Sequence, residues 1–298
     1  MMEIRIKQID AFTDVPFGGN PAGVVTDADD LSDEQKQKIA REMNLSETAF
    51  ISKSDKADFK VQFFTPSAEV DLCGHATIAS FHGLHEGGRL GHDRGVFCQE
   101  TKAGVLPVEV CRINGNQVFM MTQAVPRFEN LGVTREEIAA MFHLEPDNLL
   151  DLPVMNVSTG IWWLVFGVKK LDKLMKMAPN IAAIKDFSRK HKLVGIIPFC
   201  METMNPECHY HIRAFAPYVG VDEDPVCGTC NGCAASYMAL HNLIKFESET
   251  DLIGEEGAEV KRPGKVYVHV EKKDGQVSKV KVGGMAFTVL EGIMKVTK

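Results

Sequence analysis

The chain has 298 residues, 45% of them hydrophobic and 24% charged, so it can bury a substantial core and is long enough for two domains. A formal net charge of −7 and a pI near 5.8 exclude the basic face that nonspecific nucleic-acid binding needs. No apolar run is long enough to span a membrane, and the opening MMEIRIKQIDAF alternates like a strand rather than forming a signal-peptide core, so a cytoplasmic protein is expected.

Ile4 to Phe12 reads as a first strand, followed by the turn-rich DVPFGGNP and a second apolar run from Ala22 to Val25. Ser32 is placed to cap a helix running to about Met43, with Gln35 three residues on as its capping-box partner. Glu47 to Ile51 and Val61 to Phe64 look like strands. Ile78, Phe81 and Leu84 recur at roughly helical spacing within Gly74 to Leu84. Strands are expected at Val96 to Thr101, Val105 to Arg112 and Gln117 to Thr122, and Pro126 to Leu131 reads as the connection to a second half.

That half repeats the style. A helix is expected near Thr134 to Phe142, strands at Val154 to Gly160 and Trp162 to Val168, and helical segments up to Lys190. Strands Leu193 to Met201 and His209 to Phe215 lead to a helix at Gly228 to Leu243. Further strands lie around Lys265 to Glu271, Val277 to Val282 and Ala286 to Lys295. Many strands of antiparallel style with few helices argue for an α+β fold. The expected domains are 1–125 and 126–285, with 286–298 returning to the first.

An internal repeat supports the division. FFTP (Phe63 to Pro66) is followed by an acidic loop, Cys73-Gly74 and a helix carrying Ala79-Ser80-Phe81; AFAP (Ala214 to Pro217) is followed by an acidic loop, Cys227-Gly228 and a helix carrying Ala235-Ser236-Tyr237. The two Cys-Gly pairs are 154 residues apart (227 − 73).

A Cys-Gly at a helix start carries chemistry. The first turn presents unpaired N–H groups and a positive dipole end, which receive a carboxylate without a basic side chain and favour a thiolate. Two such starts across a cleft could hold an anionic substrate, with Cys73 and Cys227 as an acid/base pair; equally, each cysteine could be a small buried hydrophobe. Glu47, in NLSETAF, is a carboxylate beside apolar neighbours, which suits proton transfer at carbon, although capping and surface roles are commoner at such a position. His75 could donate to substrate or carry a proton, and Asp224 could bind an amine or hydroxyl, or cap the helix that follows. Cys227, Cys230 and Cys233 form CxxCxxC, a spacing that can ligate zinc or an iron–sulfur cluster, but they fall inside an expected helix with no second CxxC, so no metal is expected. Eight cysteines without an export signal are expected as free thiols.

FGGNPAGVV (Phe17 to Val25), REMNLSETAF (Arg41 to Phe50), FFTPSAEVDLCGHAT (Phe63 to Thr77), VSTGIWWLV (Val157 to Val165), AFAPYVGVDEDPVCGTCNG (Ala214 to Gly232) and KRPGKVYVHV (Lys261 to Val270) together resemble the PhzF family of phenazine-biosynthesis-like isomerases. The resemblance implies the diaminopimelate-epimerase-like fold: two similar α+β domains, each a curved, barrel-like sheet around a central helix, with the site between them. It implies no cofactor and, commonly, a homodimer; a small carboxylate substrate is expected, and charge and hydropathy give no reason to expect a nucleic-acid or membrane partner. The family's catalytic glutamate falls on Glu47, its glycine–histidine pair on Gly74 and His75, its aspartate on Asp224, and its serine in the second helix start on Thr229, beside Gly228. In the phenazine enzyme the glutamate moves a proton between carbons of a dihydro-hydroxyanthranilate. One departure stands out: Cys227-Gly228 replaces the Thr-Gly common in the family, so the chain carries a thiol at each helix start, as two-cysteine epimerases and racemases do. Against that alternative, His75 stands where the epimerases have Asn, and VDEDPV replaces their glycine-rich stretch. A Cys-rich metal or redox protein is the alternative of another class.

Overall fold

The computed structural model describes residues 1–91 and 94–297. It divides into two compact units, Met1–Met121 with Gly283–Lys298, and Thr122–Val282.

In the first unit, β1 (Met2–Ala11), β2 (Asn20–Val25), α1 (Asp33–Met43), β3 (Glu47–Ser52), β4 (Phe59–Phe64), β5 (Glu69–Val70), α2 (Gly74–Glu86), β6 (Gly95–Thr101), β7 (Gly104–Ile113) and β8 (Asn116–Thr122) follow in order. The capping box of α1 forms as its sequence dictates: Gln35 N–H donates to Ser32 Oγ, and the Gln35 side chain accepts from Ser32 N–H. β1–β2 and β3–β4 are antiparallel, whereas β2–β3 and β4–β6 are parallel. α2 packs against β1, β2 and β3. Ala76, Ile78, Ala79, Phe81 and Leu84 are at most 1% exposed, on several faces of the helix, as suits a helix enclosed by a sheet rather than lying on it.

The second unit contains β9 (Arg127–Glu129), α3 (Arg135–Met141), β10 (Met155–Ser158), β11 (Trp162–Gly167), α4 (Leu171–Lys176), α5 (Ile181–His191), β12 (Gly195–Cys200), β13 (Tyr210–Ile212), β14 (Ala214–Ala216), β15 (Val221–Asp224), α6 (Gly228–Leu240), β16 (Glu249–Glu256) and β17 (Gly264–Lys273). β18 (Gln276–Gly284) leads back to β19 (Ala286–Val296), which pairs antiparallel with β1 along its length. α6 plays the part of α2. It is also 13 residues long, buried on nearly every face, and packed on β10, β11, β12 and β17. Ser80 and Ser236, at matching places in the repeat, donate to the carbonyls of Ala76 and Gly232 one turn back, which satisfies each buried hydroxyl without another partner. A separate apolar cluster, including Phe142, Phe166, Leu174, Ile184 and Phe215, lies with α3, α4 and α5.

Two expectations need correction. His209 to Phe215 is not one strand. It breaks at Arg213, whose guanidinium is drawn inward to a two-pronged pair with Glu223 (2.7 and 2.9 Å) and to the carbonyls of Leu174 and Met177. The eight-residue strand β16 was not expected, because Glu249, Asp251, Glu255 and Glu256 give it a solvent-like composition. Its last residues are nonetheless buried, and a side chain at Gly254 would collide with Asn231 Oδ1 and the Tyr210 ring, so glycine is what lets β16 approach α6.

Candidate active site

Glu47, Cys73, Gly74 and His75 meet at the start of α2. Asn44 ends α1 in the left-handed region (φ 51°) and turns the chain into β3, so Glu47 becomes the first residue of a strand hydrogen-bonded to β2. Cys73 is the extended N-cap of α2, and its thiol makes no capping hydrogen bond. His75 Nε2 lies 3.3 Å from Glu47 Oε2 and 3.4 Å from Ser46 Oγ, while Nδ1 lies 3.4 Å from Cys73 Sγ. Side-chain exposures of 11% for His75 and 19% for Glu47 leave the group screened yet reachable. The first turn of α2 has no acidic residue, and a Cβ added at Gly74 would meet no atom within 4 Å. The helix start thus combines a positive dipole end, open space beside Gly74, and a carboxylate–imidazole–thiol group.

Asp224, Cys227, Gly228 and Thr229 gather at the start of α6. Asp224 ends β15, Cys227 is the N-cap, and its Sγ accepts from Cys230 N–H at 3.3 Å. Asp224, Cys227 and Thr229 are half-buried, and Gly228 is buried. The backbone N–H of Cys227 donates to Glu256 Oε2 (2.9 Å), and Asn231 Nδ2 donates to the same oxygen (2.9 Å) and to Cys227 O (3.0 Å). Thr77 makes the corresponding bond to Cys73 O (2.8 Å), so the repeat extends to how each N-cap carbonyl is held.

Glu256 and Asn231 escaped the sequence reading. Glu256 is 2% exposed, and its carboxyl is held well above the usual carboxylate range, by burial first and then by the charges of Cys227 and Asp224. Glu256 Oε1 and Asn231 Oδ1 have no hydrogen-bond partner among the described residues. The available signals were the position of Asn231 four residues after the N-cap cysteine and a Glu-Glu pair flanked by glycines.

Cys230 and Cys233 are fully buried, and burial raises both thiols, that of Cys233 to about 12. Among the described residues, the trios whose ligand atoms all lie within 4.8 Å of one another are Glu47–Cys73–His75 and Glu249–His269–Glu271; CxxCxxC supplies none.

The family model described as "Phenazine biosynthesis-like protein" (PhzC-PhzF) matches residues 9–292. The chain belongs to the PhzC-PhzF family. It is 36% identical to an uncharacterized isomerase, YfhB, of Bacillus subtilis, covering 99% of this chain and all of that one. It is 30% identical to trans-2,3-dihydro-3-hydroxyanthranilate isomerase of Pseudomonas aeruginosa, over 97% of this chain and 98% of that one. The crystal structure of the PhzF-family phenazine biosynthesis protein from Bacillus anthracis superposes with a TM-score of 0.92 at 36% identity, covering 99% of this chain and all of that one. The PhzC-PhzF chain described here is therefore an isomerase of mixed α+β, epimerase-like fold. No helix among the described residues is long and apolar enough to cross a membrane.

Proposed function

We propose that this isomerase moves a proton at carbon in a small carboxylated substrate without a cofactor, and that Glu47 is the general acid and base. The observation that carries the reading is the Glu47–His75 contact at an uncapped helix start with open space beside Gly74. In this reading the first-turn N–H groups of α2 receive the substrate carboxylate. Glu47 removes a proton from an adjacent activated carbon, the electron pair delocalises toward the unsaturated or carbonyl group, and the proton returns to a different carbon. No electrons are gained or lost overall. His75 holds one carboxylate oxygen of Glu47 and thereby fixes where the other points. The dihydro-hydroxyanthranilate in the name of the Pseudomonas relative is a carboxylate of this kind.

The test is solvent-deuterium incorporation, followed by NMR, across a panel of cyclic and unsaturated carboxylic acids that includes trans-2,3-dihydro-3-hydroxyanthranilate. Glu47→Gln should cost about 10²- to 10⁴-fold in exchange, the range for removing a general base. Full exchange in that variant defeats the reading.

A second reading makes Cys73 and Cys227 the proton carriers in an amino-acid epimerase or racemase. It is favoured by the thiol at the N-cap of each 13-residue helix. It requires that Cys73→Ser and Cys227→Ser each stop exchange into proline or diaminopimelate while Glu47→Gln does not.

A further inference from the structure

We infer that Cys227 and Cys230 form a redox-active dithiol, closed into a disulfide by a small disulfide oxidant such as glutathione disulfide and reopened by thiols. The inference rests on where the two sulfurs stand at the start of α6. Cys227 is the N-cap, Cys230 is the third residue of the helix, and Cys230 N–H donates to Cys227 Sγ at 3.3 Å. Cα atoms three residues apart in a helix are separated by about 5 Å, inside the range of about 4.4–6.8 Å that a disulfide spans. Within a helix the corresponding Cβ atoms diverge to about 5–6 Å, too wide for a bridge that holds them about 3.8 Å apart. An N-cap escapes that limit. The extended backbone of Cys227 (φ −117°, ψ 110°) swings its side chain over the first turn, where the Cys230 N–H meets it. Burial, and then a hydrogen bond with the Cys227 side chain, push the Cys230 thiol up, so the two sulfurs already face each other.

The two thiols differ as the attacking and resolving members of such a pair must. Cys227 is half-buried and within reach of an oxidant, whereas Cys230 is 0% exposed. The helix start favours the Cys227 thiolate. That thiolate attacks one sulfur of glutathione disulfide, a mixed disulfide forms, and one glutathione thiolate leaves. The Cys230 sulfur then attacks Cys227 Sγ, the protein S–S bond forms, and the second glutathione leaves. Two protein thiols are oxidised, one disulfide is reduced to two thiols, and the two S–H protons pass to the glutathiones. Cys233 stays outside the pair. Its Sγ lies 3.5 Å from Thr159 Oγ1 and 3.7 Å from Val157 O, turned toward the end of β10. The start of α2 gives the contrast: Cys73 holds the same N-cap position, but Ala76 stands three residues on and supplies no resolving thiol. The dithiol thus breaks the internal repeat, and it does not depend on which residue carries the proton in turnover.

The experiment incubates the reduced, full-length protein with excess glutathione disulfide and alkylates the remaining thiols after denaturation. Mass spectrometry then follows the tryptic peptide of residues 214–245, which carries Cys227, Cys230 and Cys233. The oxidised wild-type peptide should hold one alkylated cysteine, Cys233, and be two hydrogens lighter for its disulfide. Dithiothreitol should return it to three alkylated cysteines. Cys230→Ser should stop at the mixed disulfide, with one glutathione on Cys227. Cys230→Ala, which places no hydroxyl in that buried position, should do the same, and circular dichroism checks both folds. Cys227→Ser, whose serine is a favourable N-cap, should keep both remaining thiols and take up no glutathione. Cys233→Ala should lose the same two thiols as the wild type. A wild-type peptide that keeps three alkylated cysteines or stops at the mixed disulfide, a bridge that includes Cys233, or loss of the remaining thiols in Cys227→Ser overturns the inference.

Discussion

Replacing His211 with Gln tests a charge cluster in the second unit. His211 is fully buried on β13, its Nδ1 2.8 Å from Glu255 Oε1 and its Nε2 3.0 Å from Glu259 Oε1. Burial alone would lower the imidazole pKa, but hydrogen bonds to two carboxylates outweigh it and lift it from 6.5 to about 9. A folded-state value above the unfolded one means that the contribution is complete below pH 6.5 and is lost as pH rises through 9. The rise of roughly 2.5 (9 − 6.5), at about 1.4 kcal/mol per pH unit, amounts to about 3 kcal/mol. Cys208 does not interfere, since burial and the charge of Glu255 push its thiol up to about 12. The assay is urea unfolding of the second unit, followed by the fluorescence of Trp162 and Trp163, from pH 6 to pH 10. The wild-type midpoint should fall steadily between pH 7 and 9.5. His211→Gln should begin about 3–5 kcal/mol lower, because two buried carboxylates lose their counter-charge, and should lack that fall. Parallel pH slopes in the two proteins would refute the argument.

Gly74→Ala separates folding from turnover. The added methyl meets nothing within 4 Å and improves helix propensity, so thermal stability should stay level or gain up to about 1 kcal/mol, while exchange falls because the methyl enters the space assigned to substrate. Unchanged turnover would move the substrate elsewhere. Arg213→Lys should destabilise by about 2–4 kcal/mol in chemical denaturation, since an ammonium cannot pair both oxygens of Glu223 while also reaching the Leu174 and Met177 carbonyls. Glu256→Gln should be stabilising, increasingly so as pH rises above 4.5. The carboxyl pKa is raised by folding, so the wild-type protein must hold a proton that the unfolded chain releases, and an amide is free of that requirement. A loss of stability at pH 8 would show that Glu256 is ionised in the folded protein.

Local chemistry was legible where it acts over a few residues. The Ser32–Gln35 box placed the start of α1, and the 154-residue repeat singled out both Cys-Gly helix starts, which became the N-caps of α2 and α6. Long-range pairing was not legible. The approach of Glu47 to His75, 28 residues apart, depends on the parallel register of β2 with β3 and on the depth of α2, and only the family resemblance pointed to it. β16 was hidden for a different reason. Glu255 is matched by His211 and by the Met204 and Asn205 N–H groups, and Glu256, its carboxyl pKa raised by burial, accepts from the Cys227 N–H at the start of α6, none of which is adjacent in sequence.

The pairing of β1 with β19 bears on how the protein is made. Met2 to Ala11 leave a ribosome well before their antiparallel neighbours, Ala286 to Val296, which follow more than 270 residues later. One edge of β1 therefore stays unsatisfied until β19 is made, while every residue of Thr122–Val282 can already condense. Synthesis order thus favours the second unit maturing first, with the nascent sheet of the first unit exposed to mispairing until β19 arrives.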